Sequence, residues 1–85
     1  MNEQLSNFKV TDRKSFIEFL DLLRQDFLSN PNNWENNSLD TFLDALSSYA
    51  NDIQGSYDNM GKSINADNPS WQVFADIFKG ATMYE

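Results

Sequence analysis

The sequence predicts an all-α fold: a compact three-helix domain with a long irregular loop between the second and third helices. Three observations lead there. Three segments repeat apolar residues at three- and four-residue steps, the spacing of one helix face. Each opens on residues that cap helices, and no stretch shows the alternation of a half-buried strand. The 85 residues suit one domain over 1–85, and one apolar stripe per helix closes one core.

The first helix is read over 12–28. In "DRKSFIEFLDLLRQDFLS", Phe16, Phe19, Leu20, Leu23 and Phe27 share a face, widened by Ile17, Leu22 and Leu28. Thr11 or Asp12 is the expected N-cap, and Pro31 ends the helix by disfavouring helical geometry in the residue before it. The second helix is read over 38–53, with Leu39, Phe42, Leu43, Leu46, Tyr49, Ala50 and Ile53 as its stripe. Asn37 or Ser38 caps it, Asp40 suits the positive end of the helix dipole, and Gly55 reads as the stop. The third is read over 69–83, with Asn68 as cap and Pro69 at the first helical position. Its stripe is Trp71, Phe74, Ile77, Phe78 and Ala81. Residues 54–67 are expected to be irregular, and "NFKV" a short extended piece. Phe19, Leu23, Leu46, Phe74 and Phe78 are the expected core.

Composition narrows the chemistry. Apolar residues make up 40% and aromatics 14% of the chain, enough to fill a small core with rings that bury ~150–250 Å² each. There is no Cys and no His. Disulfides and thiol chemistry are excluded, and the commonest general base and metal ligand are missing. No metal or cofactor is expected. "MNEQLSNFKV" has neither a basic start nor an apolar run, and no segment approaches the ~20 apolar residues of a membrane span. The expectation is a soluble, cytoplasmic protein.

The net charge is −7, and its placement is uneven. The cations are Lys9, Arg13, Lys14, Arg24, Lys62 and Lys79, so none stands between Arg24 and Lys62. That interval holds Asp26, Glu35, Asp40, Asp44, Asp52 and Asp58. Such a surface repels nucleic-acid phosphates and anionic membranes, and it steers in a basic protein surface.

Enzymatic signals are weak. Asp40 and Asp44 lie one turn apart, but acid/base catalysis needs burial to separate their pKa values, and they sit opposite the apolar stripe. "DIQGSYDNMGKS" spaces Asp52, Gln54, Ser56 and Asp58 like a calcium loop. Tyr57 stands where that loop needs Gly, however, and Ser63 where it needs Glu, so an ordinary turn-rich linker is expected. Three Gly make no phosphate cradle, and no enzyme is expected. In "SNPNNWENNSLDTFLDAL", Trp34 stands in an Asn-rich stretch. It either folds back over the core between the first two helices or serves as an aromatic anchor beside the acidic helix.

Two resemblances extend this reading. "NNWENNSLDTFLDAL" followed by "SWQVFADIFKGATMYE" resembles an uncharacterised family of small bacterial helical domains over about residues 15–85, which implies a helical domain and no known activity. "WENNSLDTFLDALSSY" resembles the inhibitory segment of barstar-type ribonuclease inhibitors, with Trp34, Asp40, Asp44 and Tyr49 at matching places and Asp76 of "SWQVFAD" as a further carboxylate. The chain departs from that family in lacking its strands, and Leu43 stands where it has a second aromatic. The expected function is that of a small acidic inhibitor or immunity protein neutralising a cognate toxin, a nuclease in the first instance. A helical interaction or assembly module, such as a homodimer, is the alternative. The expected partner-binding residues are Trp34, Glu35, Asp40, Asp44, Tyr49 and Asp76.

Overall fold

Asp12, Ser38 and Ser70 each turn a side-chain oxygen onto the backbone N–H of the third residue beyond, at 2.8, 3.2 and 3.1 Å, and a helix starts after each. These caps satisfy amides that no helical carbonyl can reach. The computed structural model describes residues 3–85, and no strand occurs among them. The helices are α1 (Glu3–Asn7), α2 (Arg13–Ser29), α3 (Leu39–Asn59) and α4 (Trp71–Ala81), with a 3₁₀ turn over Pro31–Asn33.

The all-α class holds, and the expected helices correspond to α2, α3 and α4. The details differ at three places. First, α1 was not foreseen. Its Leu5 is buried, and Val10 beyond it donates its N–H to Gln72 Oε1 at 2.9 Å, so this segment is part of the core, with residues 8–10 of the expected extended piece outside any helix. Second, α3 runs to Asn59 and not to 53, straight through Gly55. Tyr49, Ile53 and Tyr57 continue one face at four-residue steps, and the buried Ile53 and Tyr57 hold the extra turn. The stop is Gly61, at φ 70°. Lys62 donates to the Tyr57 carbonyl and Gly61 to the Asp58 carbonyl, the bond pattern of a left-handed glycine cap. The non-helical connection is therefore 60–70, and the calcium-like positions lie mostly on a helix. Third, α4 starts at Trp71, because Ser70 is the cap and Pro69 stands outside it.

The core divides in two. Leu5, Val10, Phe19, Leu23, Trp34 and Ala75 form one buried cluster; Ile53, Tyr57 and Val73 form the other, with Ile64 and Ala66 of the connection packed on it. Phe19 and Leu23 are buried as expected, while Leu46 and Phe78 are half-buried. Phe74 is 41% exposed. The reason is local: α4 packs against both α2 and α3, and its buried positions are Val73, Ala75 and Ala81, small enough for close approach. The larger rings are left along the seam. No helix among the described residues is long and apolar enough to cross a membrane.

Candidate functional site

After α2 ends, Pro31–Asn33 reverse the chain in one tight turn, and Trp34 is carried back beneath the helix it has just left. Its indole N–H donates to Asp26 Oδ2 at 2.8 Å, and both residues are buried. The ring meets Phe27 edge-on at 5.1 Å and stacks on Phe42 of α3 at 5.7 Å. Trp34 is therefore a core residue and not an exposed anchor. A polar tip on an apolar body explains how it sits so deep: the carboxylate receives the one donor that burial would otherwise strand.

Asn36, two residues on, closes the other end of the molecule. Its backbone N–H donates to the Thr82 carbonyl at 3.0 Å. Its side-chain amide donates to the carbonyls of Ala81 and Tyr84 at 2.9 and 2.6 Å. Those groups lie at and just beyond the end of α4, where no helical partner remains. The Asn-rich segment thus joins the ends of α2 and α4 and sets the start of α3 against them.

Between these elements lies an open groove of about 310 Å³. Its walls are Leu20 and Phe27 of α2, Trp34, Leu39 and Phe42 at the start of α3, and Phe78 of α4. Arg24 stands on the α2 side of the rim, and Asn37 and Ser38 on the other. Beside the groove, Leu39 and Leu43 of α3 are 75% and 53% exposed. At about 100° per residue, Asp40 and Asp44 follow them further round the same helix, one turn apart. Both acids are exposed, as is Glu35.

The acidic residues divide by use. Asp26 accepts from Trp34, Asp52 from Asn51 and Tyr84, and Asp58 from Gln54. Among the described residues Glu35, Asp40 and Asp44 have no side-chain hydrogen-bond or ion-pair partner. Asp76 is not with them. It accepts from the Tyr57 hydroxyl at 2.7 Å and from Gln72 Nε2 at 2.8 Å, and Gln72 in turn holds Val10. Tyr57 is 13 residues beyond Asp44, roughly 20 Å along α3. Burial, and next the bond to Asp76, push the Tyr57 hydroxyl pKa upward. Tyr49 points to α4, where its ring lies over Gly80 and edge-on to Tyr84 at 5.0 Å. Of the six expected site residues, Glu35, Asp40 and Asp44 are exposed just before and along the start of α3, Trp34 lines the groove, and Tyr49 and Asp76 are engaged elsewhere. The periodicity puts Leu20, Leu39 and Leu43 on core-facing stripes, and the structure leaves them exposed beside the groove.

Residues 12–85 match a family of unknown function (DUF7660). The chain belongs to that family. The DUF7660 match begins at the cap of α2 and takes in every element around the groove, leaving α1 outside. No curated protein and no solved structure matches the chain.

Proposed function

We propose that the chain is a non-enzymatic protein-binding domain of the inhibitor or immunity type, which covers a basic surface of a cognate toxin. The observation that carries this reading is the start of α3. Three carboxylates without internal partners stand there beside two exposed leucines and an open apolar groove. Carboxylates with no hydrogen-bond or ion-pair partner among the described residues can pair with cations from outside, and apolar side chains beside them supply the area that excludes water. Self-association through this face is disfavoured, since two copies at net −7 each would set acidic strips against each other.

The test is capture of a partner from the native host with the wild-type chain, Asp40→Ala/Asp44→Ala and Leu39→Asp. The partner should carry a basic surface, its activity should fall when the wild-type chain is added, and both variants should lose capture while keeping the wild-type circular dichroism spectrum. Equal capture and equal inhibition by the double Asp variant would refute the reading.

A further inference from the structure

The groove is one end of a longer apolar seam. Phe78 in its wall belongs to a stripe of α4 that continues back to Phe74 and Trp71, one and two turns away. Those two are 41% and 37% exposed. The rings form a chain: Phe42 to Phe78 at 6.4 Å, Phe78 to Phe16 at 6.1 Å, Phe16 to Trp71 at 5.4 Å, and Trp71 to Phe74 at 6.2 Å. On the α2 side Leu20 and Ile17 are also exposed. Among the described residues Leu39, Leu20, Phe74 and Trp71 stay exposed along this line, which leads from Leu39 past Leu20 and Phe78 to Trp71.

We infer that the seam seats an amphipathic α-helix of the partner, with basic residues along the side that faces α3, making a fourth helix on α2, α3 and α4. This rests on the protein-binding reading and adds the shape and charge of the bound element. The walls decide the shape. They are almost wholly apolar, and the described residues offer no strand edge. An extended segment laid there would bury its backbone N–H and C=O groups without partners, whereas a helix satisfies its own. Phe78, Phe74 and Trp71 follow one another along α4 at four- and three-residue steps, ~4.5–6 Å apart along its axis, so anchors of a bound helix at the same steps meet successive rings. Charge fixes the polarity: Asp40 and Asp44 lie beyond the α3 edge, and Arg24 is the cation on the α2 edge.

The probe is a tryptophan-free peptide of about 18 residues, or ~27 Å as a helix, with Leu at helical spacing and Lys along one flank. Two controls keep its length: one places two Pro at its centre, and one replaces Lys with Glu. Titration is followed by the indole N–H resonances of Trp71 and Trp34 and by circular dichroism. The Lys peptide should gain helix on binding and shift Trp71. The two controls, and the chain variants Leu39→Asp and Ile17→Asp at exposed positions, should bind about tenfold more weakly or worse, the size of a hot-spot loss. Equal binding of the Pro peptide would overturn the inference. So would a dimer of the chain alone, seen by sedimentation and abolished by Leu39→Asp, because the seam would then belong to a second copy. If no peptide binds while capture of the native partner still depends on Asp40 and Asp44, the helix inference falls and the protein-binding reading stands. If capture is also independent of them, both fall.

Discussion

Gly80 offers the sharpest test of how α3 and α4 meet. A methyl group on its Cα would lie 2.1 Å from Tyr49 Cε2 and 2.5 Å from Tyr49 Cζ. Carbon atoms rest at about 3.5–4.0 Å, so the ring must retreat by roughly 1.5 Å. It has little freedom to do so. Its hydroxyl donates to Ser56 Oγ at 3.3 Å, and its ring meets Tyr84 in a T-shaped contact at 5.0 Å. Overpacking of this kind costs ~1–3 kcal/mol, while Ala in place of Gly in a helix returns up to ~1 kcal/mol, less in a last turn. Gly80→Ala should therefore destabilise by ~1–2 kcal/mol, a melting shift of roughly 4–8 °C per kcal/mol at this size. The sign should reverse once the ring is gone. In a Tyr49→Ala background the same substitution should stabilise by ~0.5–1 kcal/mol. A double-mutant cycle, read by urea unfolding with far-UV circular dichroism, should thus give a coupling near ~2 kcal/mol. If Gly80→Ala stabilises the chain with Tyr49 present, or acts equally in both backgrounds, the close approach described for these helices is wrong.

Three further outcomes follow from the same geometry. Gly55 and Gly61 should respond in opposite directions: Gly55→Ala, in mid-helix with open space around it, should stabilise by up to ~1 kcal/mol, and Gly61→Ala, at φ 70°, should destabilise by ~1–2 kcal/mol, both read by urea unfolding. Asp26→Ala leaves the buried Trp34 N–H without its acceptor and should cost ~1–3 kcal/mol, visible in the unfolding midpoint. Tyr57 carries a pKa raised in the folded chain, so the unfolded chain loses that proton first. Its contribution is fully present below pH ~10 and is lost as pH rises above that. Tyr57→Phe should flatten the alkaline fall in stability, and an unchanged pH profile would show that neither the burial of the Tyr57 hydroxyl nor its bond to Asp76 contributes to it.

Much of the fold was legible because helices announce themselves locally. The face of α2 and the capping chemistry at Asp12 and Ser38 are short-range facts, and a 3.6-residue period exposes them. The misread glycine shows the limit of that method. Gly55 follows an apparent last apolar residue, but stopping there ignores Tyr57, one turn further on the same face, and Gly61 beyond it. Carrying the stripe on by four residues would have found the right end. The two-sided packing of α4 was not legible in the same way. Whether Phe74 or Ala75 is buried depends on which neighbours press on the helix, and periodicity counts stripes without saying which line of the stripe is closest to another backbone. The Trp34–Asp26 pair was hidden for a similar reason. Its two members lie on opposite sides of a turn, and only the turn geometry brings donor to acceptor.

The same distinction sharpens the functional reading. By charge alone the six carboxylates between Arg24 and Lys62 are alike, although Glu35, Asp40 and Asp44 are the ones expected to bind a partner. The fold removes some of them. Asp26 is used under Trp34, Asp52 by Tyr84, and Asp58 by Gln54. Asp76, outside the block, is fixed to Tyr57 and Gln72. Glu35, Asp40 and Asp44 remain, near the end of the apolar seam. An exposed carboxylate alone is an ordinary solvated group, and exposed leucines alone are an ordinary feature of small domains. Their coincidence is more specific. Leu39 and Leu43 expose apolar area, and on the proposed reading the acids that flank them would oppose two copies covering it for each other. On the proposed reading, a surface that attracts the opposite charge and repels its own kind would select a different, basic partner, and would do so beside apolar area that the fold leaves open to receive it.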